Sequence, residues 1–297
     1  MTPDLDSLRC FVAAAEAPSF RRAAARVALS PAAFSERIAR LEDLLGAALF
    51  ARTTRKLDLT PAGRRLLAPA RAALAAADAC KAAVHPDAGP APVRVRLGTR
   101  FELGLSFIVP ALDALRAARP ERRIDLYFGE SDGLLDRLAD GRLDAVLTSV
   151  RLDRAGFATA PLHEEAYAFC AAPALLETAP LRGPADAAAH RLADTQPDLP
   201  LFRYFRDARP PDEVWAFGDV EHMGTIAAVR ARLLAGRAVA VLPRYFVEPD
   251  LAAGRLAALF PETVLPTDRF RLIWRVDDPL TDALHALADA LRQRPLT

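Results

Sequence analysis

Apolar residues at the start of the chain recur at the spacing of a short amphipathic helix. Leu5, Leu8, Phe11 and Val12 follow the i, i+3, i+4, i+7 pattern of a helix with one buried face. Asp4 stands immediately before them, where a side chain that caps a helix is expected. This pattern predicts a first helix that begins after Asp4.

Two further helix starts follow within the next thirty residues. Ser19 can cap a second short helix, and Ser30 can cap a third one. Pro31 takes the first position of that third helix, where the missing N–H of proline costs nothing. Gly46 can end it in the left-handed conformation. Three short helices, the last two joined by a tight turn, are typical of a helix-turn-helix.

A hairpin and a long helix are expected next. The basic segment 52–56 precedes an alternating stretch at 57–59, as in the wing of a winged helix. Thr60 can cap a helix over Pro61–Val84, which at 1.5 Å per residue would be about 35 Å long. That helix is too long, and too apolar on one side, to stand alone in water.

The remaining two thirds of the chain alternate between strand and helix patterns. Strands are expected at 93–97, 124–128 and 143–147, and this βαβαβ order favours a parallel sheet. A second lobe is expected from about Leu162, with a helix over about 222–235. The patterns then predict a strand at 270–276 and a helix at 280–291 that return to the first lobe. Two crossovers between lobes predict a cleft between them.

Composition and charge agree with two joined modules. The 297 residues are 52% hydrophobic and 26% charged, with a net charge of +1, as in ordinary globular proteins. Residues 1–90 hold 13 Lys/Arg against 9 Asp/Glu, whereas the rest is slightly acidic. A modestly basic amino-terminal part fits a nucleic-acid-binding module. The Pro/Gly-rich segment 85–92 is the expected seam.

Several classes of protein are not expected. The three cysteines, Cys10, Cys80 and Cys170, lack the spacing of a disulfide framework or a zinc site. No charge-free run is long enough for a membrane helix, and no signal peptide is recognisable, so we expect a cytoplasmic protein. His163 begins a zinc-protease-like sequence, but Tyr167 stands where the second histidine must be. No catalytic motif is complete, so we expect neither an enzyme nor a cofactor.

Residues 5–63 closely resemble the winged helix-turn-helix of LysR-type transcriptional regulators. The residues that carry this resemblance are Phe11, Ser19, Phe20, Ala23, Ala24, Ser30, Ala33, Ser35, Ile38, Leu41, Glu42, Leu45, Gly46, Leu49, Phe50, Arg52, Leu59, Thr60, Ala62 and Gly63. The resemblance implies an α/β architecture: a winged helix-turn-helix at 1–60, a linker helix at 61–88 that pairs two subunits, and an effector-binding domain at 89–297. That domain would resemble periplasmic solute-binding proteins, with lobe 1 at about 93–161 and 268–297 and lobe 2 at about 162–267.

The expected partner of the amino-terminal module is double-stranded DNA. Small residues at the start of the third helix allow close approach to bases, and arginines of the second helix and the wing suit phosphates. The candidate DNA-binding residues are Arg21, Arg22, Ser30, Pro31, Ala32, Ser35, Glu36, Arg37, Arg40, Arg52, Thr54 and Arg55. The chain departs from the family at two of them. Pro31 replaces the usual glutamine, and Glu36 replaces a frequent basic residue. Glu36 either contacts a cytosine or forms an ion pair with Arg40, and we favour the ion pair.

The expected ligand of the body is a small-molecule effector. Ligands of such folds gather at the carboxyl ends of strands and at helix N-termini. The candidate effector-binding residues are Thr99, Arg100, Thr148, Ser149, Phe202, Arg203, His222, Met223 and Thr225. If Arg100 or Arg203 faces the cleft, the effector is expected to be anionic. The alternative is that both arginines face water outside the cleft.

Three functions remain open on the sequence. The first is a sequence-specific DNA-binding regulator, a homodimer or homotetramer, whose DNA binding or bending responds to an effector in the cleft. The second is a DNA-binding regulator or architectural protein whose carboxy-terminal domain only oligomerises. The third is a solute-binding or catalytic α/β protein with an incidental basic amino terminus, and the dense helix-turn-helix resemblance weighs against it.

Overall fold

The amino-terminal part forms the expected winged helix-turn-helix. The computed structural model describes residues 2–52, 57–84, 92–152 and 155–296. In chain order, the amino-terminal elements are α1 (Leu5–Ala15), α2 (Phe20–Arg26), α3 (Pro31–Leu45), β1 (Phe50–Arg52), β2 (Leu57–Leu59) and the long helix α4 (Pro61–Val84). Strands β1 and β2 pair antiparallel.

Local capping explains where these helices begin and end. The side chains of Asp4, Ser19 and Ser30 each accept a hydrogen bond from a backbone N–H of the first turn of α1, α2 and α3. Pro31 occupies the first turn of α3, and Gly46 ends α3 with φ +64°. These caps use donors that the helix itself leaves unpaired, so short-range chemistry alone determines the helix boundaries.

The body begins with the elements of a first lobe and continues into a second. From residue 93 the first lobe contains β3 (Val93–Thr99), α5 (Phe101–Leu103), a π-helical turn (Gly104–Ile108), α6 (Val109–Ala118), β4 (Arg122–Phe128), α7 (Ser131–Ala139), β5 (Ala145–Thr148) and β6 (Phe157–Glu165). The second lobe contains β7 (Tyr167–Ala171), α8 (Pro173–Thr178), a 3-10 turn (Pro184–Ala189), β8 (Arg191–Asp194), α9 (Phe202–Arg206), β9 (Asp219–His222), α10 (Ile226–Leu234), β10 (Val239–Pro243), α11 (Arg244–Ala252) and β11 (Ala257–Ala258). The chain returns to the first lobe in β12 (Asp268–Arg275) and α12 (Thr281–Arg292).

Each lobe is built on its own mixed sheet. Among the described residues, the first sheet has the strand order β4-β3-β5-β12-β6 and the second the order β11-β7-β10-β8-β9. Strand β3 pairs parallel with both β4 and β5, which confirms the parallel βαβαβ unit. Strand β12 runs antiparallel between β5 and β6, so the two crossovers enter and leave the second lobe at neighbouring strands.

Two expectations on element boundaries were wrong. Strand β6 pairs with β12 along its length to Glu165, so the second lobe begins at Ala166 rather than near Leu162. His222 ends strand β9, and the helix that was expected to start there starts at Ile226, after its cap Thr225. Parallel pairing of β9 with β8 provides backbone partners that the helical pattern at 222–225 did not reveal.

The winged helix, the first lobe and the second lobe each have their own apolar core. Phe11 and Phe34 lie in the core of the winged helix, Trp274 in the core of the first lobe, and Phe169 and Phe205 in that of the second. Each of these side chains is fully buried or nearly so. Within the described residues, no helix combines the length and apolar character needed to cross a membrane.

Candidate DNA-binding surface and interlobe cleft

The first turn of α3 presents small side chains to solvent. Ser30, Pro31, Ala32 and Ser35 are exposed, whereas Phe34 is fully buried beneath them. The Ser30 hydroxyl accepts a hydrogen bond from the backbone N–H of Ala33 at 3.2 Å. This surface therefore lets another molecule approach the helix backbone closely.

The charged residues of α3 are paired with other protein groups. Arg40 and Glu36 are exposed and form an ion pair four residues apart. Arg37 lies 3.5 Å from a carboxylate oxygen of Asp4 and 3.8 Å from one of Asp6, at the start of α1. Helix α3 thus presents little unbalanced charge.

Unpaired positive charge on this face comes from α2. Arg21 and Arg22 are exposed on its first turn, and neither has an ion pair or side-chain hydrogen bond within the described part of the chain. The backbone of Arg52 lies in β1, at the base of the wing, paired with Leu57. The predicted wing residues Thr54 and Arg55 lie outside the described residues.

A cleft of about 780 Å³ lies between the two lobes of the body. Four of the predicted effector-binding residues line it: Arg100 and Ser149 from the first lobe, and Arg203 and Thr225 from the second. Thr225 also caps α10 by accepting from the backbone N–H of Ala228 at 3.2 Å. The carboxyl ends of strands and the helix N-termini therefore do meet in this space, as the strand order requires.

The other five predicted residues are not among the described residues that line the cleft. Thr99 and Thr148 are fully buried at the strand ends, and the Thr148 hydroxyl is hydrogen-bonded to Ser131 at 3.1 Å. The other three belong to the second lobe. Phe202 packs in its apolar core, and Met223 packs against a neighbouring apolar cluster. His222 is the last residue of β9. Burial therefore keeps Thr99, Thr148 and Phe202 out of the cleft, whereas His222 is exposed but does not line it.

Sequence reasoning missed much of the cleft wall. The additional lining residues are Phe101, Glu102, Leu105, Glu130, Val150, Arg151, Tyr167, Gln196, Pro200, Leu201, Tyr204, Ile226, Ala227, Phe246 and Asp268, with backbone or side-chain contributions from Thr195 and Gly224. Several of these, such as Tyr204 and Asp268, lie far apart in sequence, so no local motif could have grouped them. Four of them, which follow soon after a predicted strand end, carried a usable signal: Phe101, Glu102, Val150 and Arg151.

Arg100 is tied to a buried carboxylate. One of its terminal nitrogens donates to Oε1 of Glu165 at 3.0 Å, and the Glu165 side chain has no exposure to solvent. The Arg100 guanidinium lies about 6 Å from the ring centre of Phe270. Because Glu165 already balances its charge, Arg100 does not offer the free guanidinium that an anionic effector would need.

Two tyrosines and an aspartate connect the lobes at the wall of the cleft. The rings of Tyr167 and Tyr204 stack with centres 3.7 Å apart. The Tyr204 hydroxyl donates to Oδ2 of Asp268, and the single proton of the Tyr167 hydroxyl is shared between the Tyr204 oxygen at 3.1 Å and Asp268 Oδ2 at 3.4 Å. Burial raises the pKa of Tyr167 and Tyr204, so both stay protonated and act as donors.

None of the three cysteines lines the cleft. Cys10 and Cys170 are buried, and Cys80 is exposed on α4. Burial raises the pKa of the Cys170 thiol to about 12, which keeps it in the unreactive protonated form. Among the described residues, no cluster of His, Cys, Asp and Glu could hold a metal ion.

Two family models together cover nearly all of the chain. Residues 5–64 match the bacterial regulatory helix-turn-helix of the lysR family, and residues 88–295 match the LysR substrate binding domain. The two matches coincide with the winged helix and with the two-lobed body.

Two curated relatives match this chain along nearly its whole length. The chain is 30% identical to a probable hydrogen peroxide-inducible genes activator of Mycobacterium avium, over 96% of this chain and 92% of that protein. It is 31% identical to the transcriptional activator AmpR of Rhodobacter capsulatus, over 95% and 94%.

The solved structures share the fold. A full-length OxyR variant from Pseudomonas aeruginosa superposes with a TM-score of 0.74 at 22% identity, covering 100% of this chain and 97% of that one. ArgP from Mycobacterium tuberculosis gives a TM-score of 0.75 at 21% identity, with 98% of each chain covered. The winged helix, the two-lobed body and these matches lead to one conclusion: the chain belongs to the LysR-type transcriptional regulators.

Proposed function

We propose that this regulator binds specific DNA sequences and that an effector in the interlobe cleft changes its DNA binding or the bend it imposes. The observation that carries this proposal is the cleft of about 780 Å³, lined by polar and aromatic side chains from both lobes. A cavity of this size suits a small molecule, and residues on both walls let one ligand bridge the lobes. A ligand that binds a closed form better than an open one shifts the balance between them.

The DNA-binding half of the proposal uses α3 for bases and α2 for the backbone. The exposed small residues of α3 can enter a major groove, and the free guanidinium groups of Arg21 and Arg22 can contact phosphates. Glu36 is occupied by Arg40, which favours a structural pair over a contact with cytosine. We expect Pro31 to leave base recognition to its neighbours, because it has no donor or acceptor in its side chain.

A ligand of balanced charge fits the cleft better than a simple anion. Three arginines and three carboxylates line the cleft: Arg100, Arg151, Arg203, Glu102, Glu130 and Asp268. Of the two arginines first considered for an anion, Arg203 alone has no carboxylate partner within the described residues. We infer an effector with both a donor-rich and an acceptor-rich end, and an apolar part that contacts Phe101, Leu105 and Phe246.

We further propose that the protein works as a homodimer that can pair into a tetramer. The second half of α4 leaves alanines and Val84 exposed in a single chain, with Val84 74% exposed. A second copy of α4 is the simplest cover for such a face, and two paired α3 helices would then reach successive major grooves. A DNA partner implies work in the cytoplasm, without a membrane.

The test is a thermal-shift screen of small metabolites with a matched pair of variants. Arg203→Ala removes a cation from the cleft, whereas Arg206→Ala removes one from the same helix, outside the residues that line it. An effector should raise the melting temperature of the wild type and of Arg206→Ala, raise that of Arg203→Ala less, and change the affinity for DNA. A broad panel that shifts neither melting nor DNA affinity would favour the second candidate, a body that only oligomerises.

A further inference from the structure

One carboxylate joins the winged helix to the body. Glu16 follows the last residue of α1, and its Oε1 accepts from Arg71 of α4 at 2.6 Å and from Arg96 of β3 at 3.0 Å. The side chains of Arg71 and Arg96 are only 14% and 12% exposed. A single oxygen of Glu16 therefore connects the winged helix with both the linker helix α4 and the first lobe.

The linker helix makes a second contact with the same lobe. The Arg71 guanidinium also donates to the carbonyl oxygen of Gly141, in the turn between α7 and β5. The backbone at Gly141 has φ +71°, and a Cβ there would lie 3.2 Å from the Cβ of Ala68. Arg64 lies 3.6 Å from a carboxylate oxygen of the neighbouring Asp140. Helix α4 is thus packed tightly against this turn.

The body holds its side of the contact in position without help from Glu16. Asp144 accepts from the backbone N–H of Arg96 at 2.8 Å and from its Nε at 2.9 Å, and a second oxygen accepts from a terminal nitrogen. The Asp144 side chain is 3% exposed. Arg96 is therefore held in place by Asp144, and its other terminal nitrogen, Nη1, is left to donate to Glu16.

The contact and the cleft lie along the same two strands: the contact is in the middle of β3 and just before β5, and the cleft residues follow directly after each strand. In β3, Arg96 precedes Arg100 of the cleft by four residues, about 13 Å at the rise of a strand. Asp144 immediately precedes β5, and the cleft residue Ser149 immediately follows that strand. Strands β3 and β5 are hydrogen-bonded neighbours, so one continuous pair of strands connects the contact with the cleft.

We propose that Glu16, Arg71 and Arg96 form an intramolecular latch that docks the winged helix on the first lobe and passes the state of the cleft to the DNA-binding domain. The docking part of this proposal is supported by the contacts described above, and the regulatory part rests on the proposed function. Burial raises the pKa of the Glu16 carboxyl in spite of the attraction of Arg96, so the cost of desolvating this carboxylate outweighs that attraction.

The docking part is tested by hydrogen–deuterium exchange on the full-length protein without DNA or effector. Glu16→Ala should speed exchange by roughly three- to tenfold in peptides that cover 16–19 and 139–143, because two charge-assisted bonds are lost. Glu16→Gln, which keeps an acceptor and the side-chain volume, should give a smaller change. The control Asp43→Ala removes an exposed carboxylate of the same domain, on α3, and should leave both peptides unchanged. Equal exchange in Glu16→Ala and the control would overturn the latch.

The regulatory part is tested with an inverted repeat obtained by in vitro selection with the wild-type protein. Glu16→Ala should bind a single half-site as the wild type does, but discriminate at least about threefold less against a repeat lengthened by five base pairs. Faster exchange with unchanged discrimination would overturn the regulatory role and leave the latch in place. If the wild type selects no DNA at all, the proposed function and the regulatory role both fail, while the exchange experiment still decides the docking.

Discussion

The two proposed recognition surfaces of this protein differ in how their charges are compensated. On the winged helix, Arg21 and Arg22 point into solvent and have no partner among the described residues. In the interlobe cleft, Arg203 has no carboxylate partner among the described residues, but Arg100 is bonded to the fully buried Glu165 and Asp268 accepts from the Tyr204 hydroxyl. Arginines without a carboxylate partner suit the binding of a polyanion such as DNA. A cleft whose charged groups are mostly paired within the protein suits a small ligand that is selected by shape and hydrogen bonds.

This difference also separates stability from binding. An exposed arginine contributes little to folding, so its loss is felt only when DNA binds. A buried pair is costly to break, because the partner left behind is desolvated and uncompensated. The same residue type should therefore give opposite results at the two surfaces.

Breaking the Arg100–Glu165 pair should have the largest effect on stability. Glu165→Ala leaves Arg100 without its carboxylate and should lower the free energy of unfolding by about 3 kcal/mol, the low end for a buried pair, because Arg100 keeps some exposure. The neighbouring Glu164 is exposed, so Glu164→Ala is the matched control. Urea unfolding monitored by circular dichroism measures both, and equal midpoints would remove the contrast between the two surfaces.

Removing the free cations of α2 should weaken DNA binding without a change in folding. The double variant Arg21→Ala/Arg22→Ala should lose roughly tenfold or more in affinity and lower the slope of log K against log salt by about two. Arg182→Ala/Arg237→Ala removes two exposed arginines of the second lobe and serves as the control. Fluorescence anisotropy over a salt series gives the slopes. A slope equal to that of the wild type would show that α2 does not contact phosphates.

Removing one hydroxyl from the tyrosine stack should have a moderate effect. Tyr204→Phe keeps the ring stacked on Tyr167 but loses the hydrogen bond to the Asp268 carboxylate and the one accepted from Tyr167, at about 1.5–3 kcal/mol of unfolding free energy. Tyr127→Phe, on the partly exposed Tyr127 of β4, is the control and should change stability very little. Thermal unfolding by calorimetry compares them, and identical melting temperatures would show that Asp268 is satisfied without Tyr204.

The smallest effect is expected on α3. Glu36→Gln removes an exposed ion pair, which costs about 0.3–0.5 kcal/mol of helix stability, and frees Arg40 for a phosphate. We therefore expect slightly tighter binding to DNA and a salt slope that rises by up to about one. Anisotropy with random duplex DNA measures this. Weaker binding would instead indicate that Glu36 itself contacts a base.

The winged helix could be predicted because its signals are local. Ser30, Pro31 and Gly46 set the ends of α3 through bonds that span three to five residues, and the sequence contains all of the partners. The exposure of Arg21 and Arg22 followed from the same helical spacing. Long-range packing added contacts that these local signals do not carry, such as the pairing of Arg37 with Asp4 and of Glu16 with Arg71.

The cleft could be predicted only in outline. Its position at strand ends followed from the order of strands and helices, but its chemistry depends on residues far apart in sequence. Arg100 and Glu165 are 65 positions apart, and Tyr204 and Asp268 are 64 apart. His222 was misplaced for the same reason, since the pairing of β9 with β8 decides its backbone and leaves no mark at 222–225.

The most direct test of the account is fluorescence anisotropy of the full-length protein with a duplex selected in vitro and with random duplex, over a salt series. We predict binding to the selected duplex at least about a thousandfold tighter than to random DNA, with a steep salt dependence, and a further change in affinity when a ligand from the thermal-shift screen is added. Equal, weak affinity for both duplexes at every salt concentration would contradict the account.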